Sequence, residues 1–354
     1  VLDSGWFILG QEVESFEQAF ASYIGVAHGV GVASGTDAVE LALRACGVGD
    51  GDLVYTVSHT AVASIVAIER AGATPVLCDI DPSTFNLDPA SLELAIESTS
   101  RQSKLRLGQP KAILVVHLYG MPADIEAIGR IATRHGLDLV EDCAQAHGAV
   151  TDGRRVGSFG KAGAFSFYPT KNLGCAGDGG MVVTNDDAVD ARLRLLRQYG
   201  WRTRFVSDEP GTNSRLDELQ AAVLRVLLST LDQANDHRVE IAELYRSNLG
   251  EHGSVELPSA GTSPSGHVFH QYVIRSRNRD GLRAHLLDAG INTAILYPMP
   301  VHLQPAYKDR VPTAGSLRHT ERTCQRILSL PMGEHIRQSE VGRVSEAIRS
   351  FTRT

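Results

Sequence analysis

Cysteine is scarce and scattered in this 354-residue chain: five residues, Cys46, Cys78, Cys143, Cys175 and Cys324, with no C-x-x-C pair. An odd, dispersed set argues against a disulfide framework and a zinc site, and for reduced thiols in a cytoplasmic protein. No stretch approaches the roughly 20 apolar residues of a membrane helix. Val1 to Gly5 show no basic segment leading into an apolar run, so no signal peptide is expected. Positive charge is not in excess. Thirty-four Lys and Arg face 41 Asp and Glu, a net charge of -7, which removes the usual reason to expect nucleic acid as a partner. Three phosphate and metal motifs are missing as well. There is no G-x-x-x-x-G-K-[ST] and no H-E-x-x-H, and the nearest approach to G-x-G-x-x-G, Gly29-Val30-Gly31-Val32-Ala33-Ser34, ends in serine. The 43% of hydrophobic residues is ordinary for a globular protein, and the length suffices for one sizeable core or two unequal domains.

The apolar residues have two periods. Val13, Phe16, Phe20 and Tyr23 fall on one helical face, in a helix opening near Glu12. A strand is expected over Val26–Ala33, a helix over Ala38–Cys46, a strand over Leu53–Val57, a helix over Thr60–Ala71 and a strand over Pro75–Ile80. Asp88-Pro89 reads as an N-cap with proline at the first helical position, opening a helix to about Glu97. Ala112–His117, Ile125–His135 and Leu137–Glu141 continue as strand, helix and strand. Buried strands alternating with crossover helices imply an α/β fold, with a mostly parallel sheet covered on both faces. From Asp187 to Leu249 helical signals dominate, including a long stretch over Leu216–Leu231. A segment rich in Gly, Ser and Pro, Gly250–Gly266, precedes a smaller α/β unit. That unit has expected strands at Gln271–Ile274 and Thr293–Leu296, and helices near Asp280–Ala289, Arg318–Ile327 and Ser339–Ser350. The division is a large domain over residues 1–240, with residues 1–11 as an arm near the active site, and a small domain over 241–354.

Three features collect where strands end, the place where such sheets bind ligands. Ser34-Gly35-Thr36 lies between a strand and a helix and serves either as an ordinary N-cap or as a phosphate cradle. Asp142 closes Leu137-Asp138-Leu139-Val140-Glu141-Asp142. Lys171 follows an apolar strand and a proline turn, ahead of Gly174, Gly177, Gly179 and Gly180. Pyridoxal phosphate (PLP) chemistry requires all three together: an amine for the aldehyde, a carboxylate for the pyridine nitrogen, and an anion site for the phosphate.

Four segments occur in family order and spacing: Ser34-Gly35-Thr36-Asp37-Ala38, Glu141-Asp142-Cys143-Ala144-Gln145-Ala146-His147-Gly148, Phe165-Ser166-Phe167-Tyr168-Pro169-Thr170-Lys171-Asn172-Leu173-Gly174 and Asn213-Ser214-Arg215-Leu216-Asp217-Glu218-Leu219-Gln220-Ala221-Ala222. From about residue 8 to the C-terminus the chain resembles the DegT/DnrJ/EryC1/StrS family of PLP-dependent nucleotide-sugar aminotransferases. The resemblance implies an aspartate-aminotransferase-like (PLP type I) fold and a homodimer with shared active sites. It implies that Lys171 forms the Schiff base and carries the proton, that Asp142 pairs with the pyridinium, and that Gln145 approaches the ring's phenolic oxygen. By the same likeness Gly35, Thr36 and Ser166 hold the phosphate, Asn213 reaches the partner subunit's cofactor, and Tyr297 and His302 lie on the substrate side. The expected substrates are glutamate or a similar amino donor and a nucleotide-linked keto sugar, dTDP-3-keto-6-deoxyhexose before its 4-keto counterpart, in antibiotic or surface-glycan biosynthesis. A PLP-dependent sugar dehydratase is disfavoured, because relatives of that type replace the lysine with histidine. A non-catalytic regulator is disfavoured by the complete set of cofactor residues. One departure stands out: in Ser58-His59-Thr60-Ala61, alanine occupies the place of the aromatic that covers the cofactor ring in many members, and His59 is the nearest substitute.

Overall fold

The computed structural model describes residues 1–101, 108–250, 253, 255–259 and 266–351. In chain order the large sheet and its helices are α1 (Gln11–Ile24), β1 (His28–Val32), α2 (Gly35–Ala45), β2 (Asp52–Val57), α3 (Val62–Arg70), β3 (Thr74–Cys78), α4 (Pro89–Arg101), β4 (Gln109–Val116), α5 (Ile125–His135) and β5 (Asp138–Asp142), followed by a small hairpin of β6 (Val150–Thr151) and β7 (Arg154–Arg155), then β8 (Ala162–Ser166), β9 (Gly180–Thr184) and α6 (Asp187–Leu196). A second hairpin, β10 (Trp201–Thr203) and β11 (Val206–Ser207), leads to α7 (Glu218–Leu228) and α8 (Leu231–Leu249). The remainder is β12 (Tyr272–Arg275), α9 (Arg279–Asp288), α10 (Arg318–Cys324), β13 (Ile327–Leu330) and α11 (Gln338–Ser350).

Seven strands form one sheet in the order β1-β9-β8-β5-β4-β2-β3. Pairing is parallel from β8 through β5, β4 and β2 to β3, while β9 runs antiparallel to both of its neighbours. The mostly parallel sheet expected from the sequence is therefore present, with one reversed strand inserted. Alternate residues of β4 enter opposite cores: Ala112 and Leu114 pack with α2 and α3, Ile113 and Val115 with residues of α4 and α5. On the α1 side, Phe16, Phe20, Phe165 and Phe167 interlock, with Phe16–Phe167, Phe20–Phe165 and Phe20–Phe167 in edge-to-face contacts at 4.9–5.4 Å. A separate core joins α8, β12, α9, β13 and α11 through Ile241, Tyr245, Tyr272, Leu286, Leu328 and Val344.

Local chemistry explains the element ends. Asp88 accepts from the Ala90 and Ser91 amides as the cap of α4, and Asp124 accepts from Ala127 at 3.0 Å to cap α5. Gly25 stops α1 at φ 88°, a conformation that costs glycine little. Several expectations are corrected. The helical stretch over Leu216–Leu231 is two helices broken at Ser229 and Thr230. The region expected to be helical also contains the β10–β11 hairpin. Thr293–Leu296 forms no strand, only a single bridge from Ala294 to Ser329. The helix expected to reach Ile327 ends at Cys324, because Ile327–Leu330 pairs with β12. Much of Gly250–Gly266 lies outside the described residues. All five cysteines are free and buried. Among the described residues, no helix is long and apolar enough to cross a membrane.

One buried carboxylate fastens the sheet to the turn after it. Glu141 accepts from the amides of Gly157, Phe159 and Gly160 at 2.7, 2.8 and 2.7 Å, and contacts His117 Nε2 at 3.1 Å. His117 Nδ1 accepts from the Ala123 amide, so Nε2 carries the proton and donates to Glu141. Cys143 completes a cluster of metal-ligand type with these two residues, but both oxygens of Glu141 are already spent on N–H donors. Burial alone pushes the Glu141 carboxyl up. The His117 bond and the turn amides outweigh it and hold the group below its usual range. A depressed folded value stabilises the protein above the unfolded pKa, and that contribution disappears as pH falls through the folded value. We expect Glu141→Gln to cost about 2–4 kcal/mol at neutral pH, since the amide NH2 would face backbone donors. The gap from wild type should close on acidification below about pH 4.3. Thermal melts of both proteins at pH 7 and near pH 3 test this; an equal gap at both would contradict it.

Candidate active site

The sheet delivers two of the predicted residues to one end. Asp142 is the last residue of β5, Ser166 the last of β8, and β5 and β8 are neighbours with Asp142 opposite Ala164. Strand alternation sends Glu141 and Asp142 to opposite faces. Glu141 is consumed by the turn described above, whereas Asp142 faces α3. There its Oδ2 accepts from Ser64 Oγ at 2.9 Å, and its Oδ1 from the Ala144 amide at 3.1 Å. Because the Ser64 proton is committed to Asp142, Thr60 Oγ1, at 2.9 Å, donates to Ser64. Burial pushes the Asp142 carboxyl up; the Ala144 amide, Ser64 and the Lys171 charge oppose it without cancelling it.

Lys171 sits in the turn after β8, where its amide donates to the Tyr168 carbonyl at 2.9 Å. Its ammonium has no hydrogen-bond partner among the described residues. Burial pulls its pKa below the ordinary lysine value, and Asp142 acts in the opposite sense. The next residue, Asn172, is buried and fully bonded. Its Nδ2 donates to Asn235 Oδ1 at 2.8 Å and to the Val268 carbonyl at 3.1 Å, and its Oδ1 meets His270 Nδ1 at 3.0 Å.

Gly35 and Thr36 form the first turn of α2, which begins three residues earlier than the sequence pattern suggests. Ser34 is its N-cap and accepts from Asp37 at 3.1 Å. Among the described residues, the Gly35 and Thr36 amides donate to no acceptor, so they stand free at the positive end of the helix. A Cβ on Gly35 would come within 2.4 Å of Ser166 Cβ, and one on Gly180 within 2.3 Å of the Ser34 carbonyl. Glycine at both positions lets β8, β9 and the start of α2 approach closely. Gly35, Thr36 and Ser166 thus share one neighbourhood.

Gln145 is buried, with its amide committed on both sides. Oε1 accepts from the Tyr119 amide at 2.7 Å, and Nε2 donates to Tyr297 Oη at 2.8 Å. Tyr119 and Tyr297 both hold left-handed backbones, φ 59° and 61°, a strained conformation for an aromatic residue. Their rings stack at 6.3 Å. Burial raises the Tyr297 hydroxyl to about 12. His302 is tied down differently: Nδ1 lies 2.7 Å from Ser58 Oγ and Nε2 3.3 Å from Glu321. His59 is fully buried, with Nε2 3.1 Å from Tyr119 Oη and Nδ1 3.3 Å from Cys324 Sγ, and burial lowers it to about 4. It is enclosed by Phe85, Tyr119 and Tyr297. Asn213 is exposed and stands apart, although its neighbour Ser214 donates to Asp37 at 2.7 Å and accepts from the Ala33 amide. Ser64, Tyr119, Asn172 and His270 were not singled out from the sequence. For Ser64, Tyr119 and His270 the one signal is polar character among apolar neighbours, which many structural residues share; Asn172 has only its place beside Lys171.

These residues fit PLP. The free amides of α2 and the Ser166 hydroxyl suit a phosphate. The Asp142 carboxyl, raised despite two donors, lacks the cation that a protonated pyridine nitrogen supplies. Lys171 offers an unbonded amine.

Comparison with known proteins agrees. The profile described as the DegT/DnrJ/EryC1/StrS aminotransferase family matches residues 1–349. A dTDP-3-amino-3,4,6-trideoxy-alpha-D-glucose transaminase of Streptomyces venezuelae is 48% identical over 99% of this chain and 90% of its own length. The erythromycin biosynthesis sensory transduction protein EryC1 of Saccharopolyspora erythraea is also 48% identical, over 99% of this chain and 93% of its own. Among solved structures, S. venezuelae DesV in complex with a ketimine intermediate superposes with a TM-score of 0.91 at 46% identity, covering 98% of this chain and 91% of that one. The chain belongs to the DegT/DnrJ/EryC1/StrS aminotransferase family and is a PLP-dependent aminotransferase.

Proposed function

We propose that this enzyme moves an amino group from glutamate, or a similar donor, to the keto carbon of dTDP-3-keto-6-deoxyhexose, giving a 3-amino sugar for antibiotic or surface-glycan biosynthesis. The observation that carries the reading is the meeting of Lys171, Asp142 and the free amides of α2 at one end of the sheet. The 48% identity to a 3-amino-sugar transaminase supports the sugar class. PLP, when bound, supplies the electron sink for the proton shift that transamination needs. The chain's own residues do the rest. Lys171, kept easier to deprotonate by burial, acts first as nucleophile and then as the base that carries the proton. Asp142, fixed by Ser64 and Ala144, would present its charge to the ring nitrogen of the bound cofactor. Gly35, Thr36 and Ser166 would hold the cofactor's phosphate. Gln145 orients Tyr297 toward the substrate side, with His302 beyond it.

We further propose a division into residues 1–240 and 241–354, and a homodimer with shared sites. The N-terminal arm lies along α7: Ile8 bridges Asp217, and Glu218 accepts from the amides of Gly10, Glu12 and Val13. Trp6, Phe7 and Ile8 of the arm are exposed, as are Leu219, Val223, Val226 and Leu227 along α7, with Val226 at 71%. A contiguous apolar stripe of this kind suits a second copy of the chain. Exposed Asn213, whose neighbour Ser214 bonds to Asp37 in the first turn of α2, is the residue proposed to serve the partner's cofactor.

Purified protein with PLP and glutamate should convert dTDP-3-keto-6-deoxyhexose to its amine, read by mass and NMR, in preference to the 4-keto isomer. Lys171→Ala should keep the fold and lose turnover. Borohydride should trap the cofactor on Lys171; full activity in the alanine variant would sink the assignment.

Asp142→Asn preserves shape while removing the charge. It should slow turnover by at least the tenfold or more that corresponds to losing a charge-assisted hydrogen bond of about 1.5–3 kcal/mol. Its melting temperature should change little. A wild-type rate in this variant would show that Asp142 does not face the ring nitrogen.

Light scattering should give a mass near twice 38.1 kDa. Lys171→Ala chains mixed with Asn213→Ala chains should regain activity, because in the mixed dimer both defects fall on one site. No recovery, from an Asn213→Ala enzyme that is impaired alone, would place Asn213 in its own chain's site.

A further inference from the structure

We propose that Asn172 is a positioning residue that pins Lys171 to the helix and strand entering the smaller core, and that it holds His270 as the tautomer protonated on Nδ1. The geometry fixes the assignment. The Val268 carbonyl can only accept, so the Asn172 atom 3.1 Å from it is the NH2 end, which also reaches Asn235 at 2.8 Å. The opposite end is then the carbonyl oxygen, and His270 Nδ1, 3.0 Å away, has to donate. His270 Nε2 keeps a lone pair and has no hydrogen-bond partner among the described residues.

The three bonds come from different parts of the fold. Asn235 lies in the first turns of α8, and its side-chain Nδ2 donates to the His147 carbonyl at 2.9 Å. Val268 and His270 lie on the segment that runs into β12, where the Val268 amide donates to the Gly120 carbonyl at 3.0 Å. The backbone next to the reactive amine is thereby tied to both at once. All the polar partners are buried, so each bond lost leaves an unsatisfied group rather than one rescued by water. The titratable groups around Lys171 are Asp142, His147 and His270. Burial keeps both histidines neutral, and the Lys171 charge adds to the effect.

The inference rests on Lys171 as the reactive amine, and the readouts separate the two claims. In 15N-histidine NMR of the full-length protein, the His270 signal, assigned by its loss in His270→Gln, should show the proton on Nδ1. This needs no variant of Asn172, and a proton on Nε2 alone would overturn the proposal. In the cofactor-free chain, the pH midpoint for arylation of Lys171 should lie below that of ordinary lysines. It should rise by about one pH unit in Asn172→Leu as the turn loosens and water enters. Asn235→Ala, which removes one bond of the three, should shift it less and in the same direction. A Lys171 midpoint unchanged in a folded variant of either residue would reduce Asn172 to a packing role. Failure of borohydride to trap cofactor on Lys171 in wild type would instead refute the proposed function, leaving the tautomer result standing.

Discussion

A charge removed from water must find a partner, and β5 ends with two such charges side by side. The period of a strand separates them. Glu141 turns to one face and is saturated by three backbone amides and a histidine, so it serves as a rivet between the sheet and the turn before β8. Asp142 turns to the other face and receives only two donors, which leaves lone pairs and charge unspent. Two carboxylates, one position apart, become a saturated structural anchor and a group proposed above to meet the cofactor. The difference lies in how many donors each face supplies. The turn held by Glu141 also fixes where β8 begins, and therefore where Lys171 emerges.

The polar groups at this end of the sheet come from segments far apart in sequence. The start of α2, the end of β5 and the turn after β8 meet because β8 pairs with both β5 and β9, and because Gly35 and Gly180 carry no side chain to keep them apart. Without cofactor, Asp142 and Lys171 are each other's main electrostatic counterweight, and burial moves both toward their neutral forms. Nearby polar groups are already paired: Gln145 holds Tyr119 and Tyr297, and Asn172 holds Asn235 and His270.

Most of the sheet was legible from apolar periodicity, because parallel strands covered on both faces are uninterrupted apolar runs. α5 was readable to the residue, since Asp124 and Gly136 mark its two ends with different chemistry. β9 was not, because it opens on Gly180 within a glycine-rich segment that reads as loop. Its glycine is there to clear the Ser34 carbonyl, which no local pattern reveals. Thr293–Leu296 has the composition of a strand, yet β13 pairs with β12 and offers it a single bridge. Lys171 and Asp142 stood out because their surroundings are unusual for a lysine and an aspartate. The commitments of Asn172, His270 and Tyr119 include contacts such as Asn172 with His270, 98 residues apart, and Tyr119 with His59, 60 apart, and a sequence read locally carries no trace of them.

α8 belongs to both cores. It begins beside Asn172, through Asn235, and ends at Leu249 among the residues that pack on β12 and α11. Nineteen residues of continuous helix span about 28 Å. A rigid rod of that length is a lever: tilting one end by about 3° carries the other through about 1.5 Å, more than the misplacement of roughly 1 Å that can slow a reaction a hundredfold. Substitutions where α11 packs on α8, such as at Val344, therefore have a mechanical route to the backbone beside Lys171.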